Sequence, residues 1–83
     1  MRFVNEPIEV ELHIGTDGSV RPGLFTWRGR RYPVTGVGRT YERGDSRYFL
    51  VMVPGDRIFE LRWHVPDNQW SVSRIPQDRL AAA

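Results

Sequence analysis

Apolar and polar residues alternate with a period of two along most of the chain, and turn residues interrupt the alternation at short intervals. That pattern predicts an antiparallel β protein. Ile8, Val10, Leu12 and Ile14 alternate with Glu9, Glu11 and His13, so one face of this strand can be buried and the other solvated. Residues 15–19 follow as a turn, with Asp17-Gly18 tolerating positive φ. The next strand runs from about Val20 to Arg28 with Phe25 and Trp27 on one face. Pro22 lacks a donor N–H and places the start of that strand at an edge or a bulge. Gly29 reverses the chain, and Tyr32 and Val34 resume the inward set. Val37 falls out of phase with Val34, which predicts a bulge or sharp bend around Gly36 and Gly38.

Residues 41–47 read as a polar loop. Residues 48–53 form a nearly unbroken apolar run, the signature of a strand covered on both faces. Pro54-Gly55 fits the middle of a type II turn. Phe59, Leu61, Trp63 and Val65 then alternate with Ile58, Glu60, Arg62 and His64. Residues 66–68 make another turn, and Trp70 and Val72 mark a last short strand. Helical spacing is absent apart from a single turn within residues 77–80. The expected fold is all-β: a small antiparallel meander of about six strands forming an open, SH3-like barrel or a strongly twisted sheet. One domain spans residues 1–80, with residues 81–83 as a frayed tail.

Length and composition narrow the chemistry. A chain of 83 residues buries only about 60 % of its unfolded surface, enough for one core but not for a roomy enclosed active site. It has no cysteine, which excludes disulfides, thiolate metal sites and cysteine nucleophiles. With no apolar run resembling a signal peptide or a membrane span, the expectation is a cytoplasmic protein without a membrane partner.

Charge is spread unevenly behind a net value of +2. Residues 1–20 carry one arginine against four acids, residues 21–47 seven arginines against Glu42 and Asp45, and the remainder is balanced. All twelve basic residues are arginine. Codon usage in a GC-rich genome would produce that bias, and so would selection for planar, bidentate phosphate or carboxylate recognition.

Enzyme chemistry finds little support. Only His13 and His64 could serve as a general base, and both fall on the solvated phase of their strands. Glu9, Glu11 and His13 share one strand face and could approach a metal if His64 joined them. Equally, Glu9 and Glu11 could pair across strands with Arg62. Gly36-Val37-Gly38 is a lone G-x-G, read as a strand bend rather than a phosphate loop. The sequence therefore implies no catalytic residue, no metal and no cofactor.

The densest feature is Trp27-Arg28-Gly29-Arg30-Arg31-Tyr32, followed by Arg39, Tyr41, Arg43, Arg47 and Tyr48. Arginines interleaved with aromatic residues on a β surface suit single-stranded nucleic acid, guanidinium groups taking phosphates and rings stacking on bases. Trp27 and Tyr32 lie on the core phase, which leaves Tyr41 as the best exposed ring. The candidate binding residues are Arg28, Arg30, Arg31, Arg39, Tyr41, Arg43 and Arg47. An acidic protein partner, a contact through an exposed strand edge, and a homodimer are the alternatives.

The phrases Glu6-Pro7-Ile8, residues 25–34 (Phe-Thr-Trp-Arg-Gly-Arg-Arg-Tyr-Pro-Val), residues 58–62 (Ile-Phe-Glu-Leu-Arg) and residues 70–74 (Trp-Ser-Val-Ser-Arg) together resemble a small bacterial all-β domain family of unknown function. Some of its members are associated with translesion polymerase or DNA-repair proteins. The resemblance covers about residues 3–75 and implies a non-catalytic accessory module with a leaning towards nucleic acid. It assigns no catalytic residue.

Overall fold

In the computed structural model, which describes residues 2–76, the chain is all-β. Its strands are β1 (Arg2–Pro7), β2 (Glu9–Ile14), β3 (Val20–Trp27), β4 (Arg30–Pro33), β5 (Gly36–Arg43), β6 (Ser46–Val53), β7 (Arg57–His64) and β8 (Gln69–Ile75), with one turn of 3-10 helix at Val65–Asp67. They form two antiparallel sheets, one of five strands in the order β1-β8-β7-β6-β5 and one of three in the order β2-β3-β4. The expected meander is present with eight strands rather than about six, and it does not close into a barrel. The turn expected within residues 77–80 and the tail at residues 81–83 lie outside the described residues.

The two additional strands have physical explanations. β1 is an edge strand, bent at Asn5 where φ is 53°, and its mixed residues show no clean alternation. Residues 41–47, expected as a loop, instead pair as the ends of β5 and β6, with Tyr41 opposite Tyr48 and Glu42 opposite Arg47. Only Gly44-Asp45 turns the chain. Glu42, Arg43 and Arg47 stay exposed there, because the small sheet reaches this end only with Val20 and Arg21 across an open cleft.

The inner faces of the sheets meet over one apolar core. Phe25 and Trp27 from β3 pack edge-on to Phe59 from β7, with centroids 5.2 and 5.6 Å apart, and Tyr32 from β4 stacks on Phe25 at 5.1 Å. Such ring pairs add about 0.5–1.5 kcal/mol each beyond their burial. Val51, Val53, Leu61 and Val72 complete this part of the core. Towards the far end of the sheet Phe49, Trp70 and Trp63 stack in succession, and Trp63 is left half-exposed.

Two corners join the sheets. At the first, β1 runs into β2 through Ile8, whose N–H donates to the Trp70 carbonyl at 3.1 Å. At the second, Val34 N–H donates to Gly23 O (2.9 Å) and Thr35 N–H to Met52 O (2.8 Å), leading β4 into β5. The expected bend near Gly36 and Gly38 appears as a register shift in β5 between Val37 and Thr40. Pro22 sits at a second shift, in the central strand of the small sheet rather than at an edge.

One expectation fails at the tip of the β2–β3 hairpin. Ile8 and Val10 reach the core, but Leu12 and Ile14 are exposed, as is Val20 opposite Ile14. The tip packs loosely: Val20 and Arg21 line an open cleft with Val37, Thr40 and Phe49 of the large sheet, which does not seal these side chains from water. The run in β6 departs as well. Its inner residues Phe49, Val51 and Val53 are buried, whereas Tyr48 and Leu50 are half-covered and Met52 is exposed.

Trp27→Ala is expected to lose about 3–5 kcal/mol, the cost of emptying a packed aromatic site. Arg30→Ala, a change at an exposed strand end, is expected to stay within about 0.5 kcal/mol. Urea titrations of the two variants check this; an unmoved midpoint for Trp27→Ala would refute the packing described.

Candidate functional site

The seven residues singled out from the sequence divide among three places. Arg28, Arg30 and Arg31 lie on the β3–β4 hairpin of the small sheet. Arg28 and Gly29 form its two-residue turn with φ of 51° and 74°, the double positive φ of a type I′ turn. A left-handed conformation costs a residue with a Cβ roughly 1–2 kcal/mol, and Arg28 has partners that offset it. Its guanidinium lies 4.4 Å from the Trp27 ring centroid, its Nε donates to Glu6 Oε1 at 2.9 Å, and Nη2 pairs with Glu6 Oε2. Trp27 Nε1 donates to the same Glu6 Oε1 at 3.0 Å. Glu6 belongs to β1 in the large sheet, so this clamp ties one sheet to the other. The hydrogen bonds from Arg28 are the main cause of a Glu6 carboxyl pKa below its ordinary value; the Trp27 bond adds to them, and partial burial opposes.

Arg31 on the outer side of the small sheet pairs with Glu11 at 3.2 Å. Arg47 faces inward at the uncovered end of the large sheet, paired with Glu42 at 2.7 Å and 6.0 Å from the Trp63 ring. Three of the six candidate arginines are thus already matched by acids.

Arg39, Tyr41 and Arg43 lie on β5 and belong to a different surface, the outer face of the large sheet. Register places Tyr41, Tyr48, Arg62 and Ser71 in one row across it, and Leu50, Glu60, Arg74 and Phe3 in the next. Tyr41 is not the free ring expected. It is half-buried, stacks on Tyr48 at 4.9 Å and 8°, and donates its hydroxyl to Glu60 Oε2 at 2.7 Å. Burial, reinforced by Glu60, raises its pKa and keeps the phenol protonated for that bond.

Glu60 is the least expected member. Its position in the alternation points outward, yet it is only 3 % exposed. Ser73 Oγ donates to its Oε1 at 2.8 Å, and Arg74 Nε lies 3.4 Å from the same oxygen without hydrogen-bonding geometry. The register shift between β7 and β8 at Glu60/Leu61 turns Ser73 towards it. Arg74 in turn lies over the Phe3 ring at 4.4 Å, and that ring is 70 % exposed. Nothing in the alternation of residues 2–7 marked Phe3, and the charge balance of the last third concealed Arg62 and Arg74.

The resulting surface carries Arg39, Arg43, Arg62 and Arg74. Among the described strand residues on this face, Glu60 is the one acid, and it is buried beneath Tyr41, Ser73 and Arg74. Arg43 lies 5.9 Å from the Tyr41 ring, and Arg62 Nε donates to Ser46 Oγ at 2.8 Å. Beside the tyrosines a shallow apolar groove of about 270 Å³ runs between Leu50, Met52 and Ile58, with Arg39 on its lining.

The histidines lie apart. His13 is exposed on the outer face of the small sheet in line with Glu9 and Glu11, while His64, on the large sheet, has its Nδ1 2.8 Å from Asp67. His64 is the main cause of a lowered Asp67 pKa. Neither Glu9 nor Glu11 pairs with Arg62, the alternative the sequence allowed, because β2 and β7 belong to different sheets; Glu11 takes Arg31 instead. Among the described residues no three His, Asp or Glu side chains gather as a metal site, and no helix is long and apolar enough to cross a membrane.

Comparisons with protein-family models, with curated proteins and with solved structures give no match to this chain.

The Glu6 clamp has a pH signature. A carboxyl whose folded pKa is depressed contributes stability above its unfolded pKa, near 4.3 for glutamate, and that contribution disappears as pH falls through the folded value. Glu6→Gln is therefore expected to be less stable than the parent at neutral pH, with the difference shrinking below about pH 4. Urea midpoints measured across that range check the sign; a constant gap would show that the ionised clamp adds nothing.

Proposed function

We propose that this domain is a non-catalytic accessory module that binds single-stranded nucleic acid on the outer face of its large sheet. The observation that carries the reading is the convergence on one uncovered face of four arginines and three aromatic rings, with no free acid among the described strand residues there. Arg39, Arg43, Arg62 and Arg74 supply phosphate contacts. Phe3, backed by Arg74, and the exposed edges of Tyr41 and Tyr48 supply surfaces for bases. Base–aromatic stacking contributes about 1–3 kcal/mol per base and tolerates any sequence.

Five strands about 4.8 Å apart make a face roughly 19 Å across, wide enough for a short run of nucleotides. The Arg28–Arg31 hairpin plays no direct part in this reading, because Arg28 and Arg31 already hold acids on another surface. Some members of the bacterial family that the sequence resembles are associated with translesion polymerase or DNA-repair proteins, and a cytoplasmic location accords with the absence of cysteine.

Titration of a labelled single-stranded oligonucleotide at several salt concentrations tests the reading. Four phosphate contacts at about −0.7 each give a slope of about −3 for log affinity against log salt. Arg39→Ala with Arg43→Ala is expected to lower the slope by about 1–1.5, whereas Arg30→Ala leaves it unchanged. Binding that is insensitive to salt, or an equal loss from Arg30→Ala, would overturn the assignment.

A further inference from the structure

The apolar groove on the outer face of the large sheet is not accounted for by phosphate contacts. Its walls are Leu50, Met52 and Ile58, and Met52 and Ile58 are each 41 % exposed. Contiguous exposed apolar surface of this kind marks an interaction site. The groove exists because β5 brings no bulk to this side. Cross-strand partners share a face, so a side chain at Gly36, opposite Met52, would stand outward beside it. A Cβ at Gly36 would meet no atom within 4 Å, and one at Gly38 only the Leu50 carbonyl oxygen at 3.8 Å. Neither glycine has a positive φ, so the backbone does not demand glycine at either position. What the two glycines provide is room.

Size and charge together select the occupant. The groove holds about 270 Å³, just under the roughly 300–1,000 Å³ of pockets that enclose a drug-sized ligand. It suits one planar ring system. Arg39 is the charged residue on its lining, and no acid lines it among the described residues. Arg43, Arg62 and Arg74 stand on the same face. The occupant must therefore join a flat apolar group to adjacent negative charge, as a nucleotide does. A second sheet face of this chain would instead bring arginines against arginines.

We propose, resting on the nucleic-acid reading above, that this groove is a base subsite. One base of the bound strand sits between Leu50, Met52 and Ile58 over the bare backbone of Gly36 and Gly38, and Arg39 takes a phosphate beside it. Met52 is four residues from Tyr48 along β6, about 13 Å, so a strand seated here continues onto the stacked tyrosines. The apolar walls carry no side-chain donor or acceptor to read a base edge, so the ring is held by its faces and any base is accepted.

Filling the groove tests the subsite. Gly36→Leu enters open space on a strand that accepts larger side chains; Gly38→Leu replaces it if circular dichroism shows that the first fails to fold. Two probes are titrated at several salt concentrations: an oligothymidylate, and a deoxyribose-phosphate strand of the same length without bases. Gly36→Leu is expected to bind the oligothymidylate about tenfold more weakly than the parent, the loss of one stacked base, with an unchanged salt slope. It should bind the abasic strand as the parent does. Equal affinity of parent and variant for the oligothymidylate, or equal losses on both strands, would overturn the subsite and leave the arginine face standing. A parent chain that binds neither strand in a salt-dependent way overturns both readings. A parent dimer in sedimentation velocity that Gly36→Leu dissociates would also overturn the subsite, by placing a second copy in the groove.

Discussion

A five-stranded sheet has two faces, and among the described residues the remaining strands cover one of them. The three short strands of the second sheet bury the inner face around Phe25, Trp27 and Phe59. The outer face must then be stable in water without a partner layer, and most features of the molecule follow from how that is managed. Leu50 and Met52 continue an apolar run in β6, so this face cannot be wholly polar. Long amphipathic side chains spread over it instead, their stems on apolar surface and their heads in solvent. The same solution leaves arginine and aromatic rings standing together where a ligand can reach them.

Glu60 shows how far the arrangement extends. An acid so nearly buried requires partners, since a buried polar group without them costs about 1–3 kcal/mol or more. Tyr41, Ser73 and Arg74 supply them from β5 and β8, on either side of its own strand β7. The cluster holds Tyr41 against Tyr48 and Arg74 against Phe3, so a buried acid orders the exposed rings. The Glu6 clamp does comparable work between the sheets, engaging both the indole of Trp27 and the guanidinium of Arg28. Residues far apart in the sequence meet at these two points: Glu6 with Trp27 and Arg28, and Glu60 with Ser73 and Arg74. Their spacing is that of structural clasps.

Alternation made the inner core legible before any coordinates, because period two assigns Phe25, Trp27, Tyr32, Phe59, Leu61 and Val72 to one side of their strands. It could not show how closely a second layer packs: period two places Leu12 and Ile14 inside, yet the hairpin tip sits over an open cleft and leaves them exposed. Nor could it register Glu60, whose outward position is roofed by side chains from neighbouring strands. The candidate site was half legible. The arginine density of residues 21–47 is real, but the chain passes from one sheet to the other at Val34-Thr35 and Arg47 faces inward, so those arginines lie on three surfaces. Arg62 and Arg74 join Arg39 and Arg43 only through the successive pairing of β5 with β6, β6 with β7 and β7 with β8, a relation that local composition does not carry.

The central claim is that the uncovered side of the large sheet is where an anionic ligand sits. Chemical-shift mapping during titration of the isotopically labelled protein with a single-stranded oligonucleotide tests it most directly. Perturbations should concentrate on Phe3, Arg39, Tyr41, Arg43, Tyr48, Arg62 and Arg74 and leave the Arg28–Arg31 hairpin unmoved. Perturbations centred on that hairpin, or none at all, would contradict it.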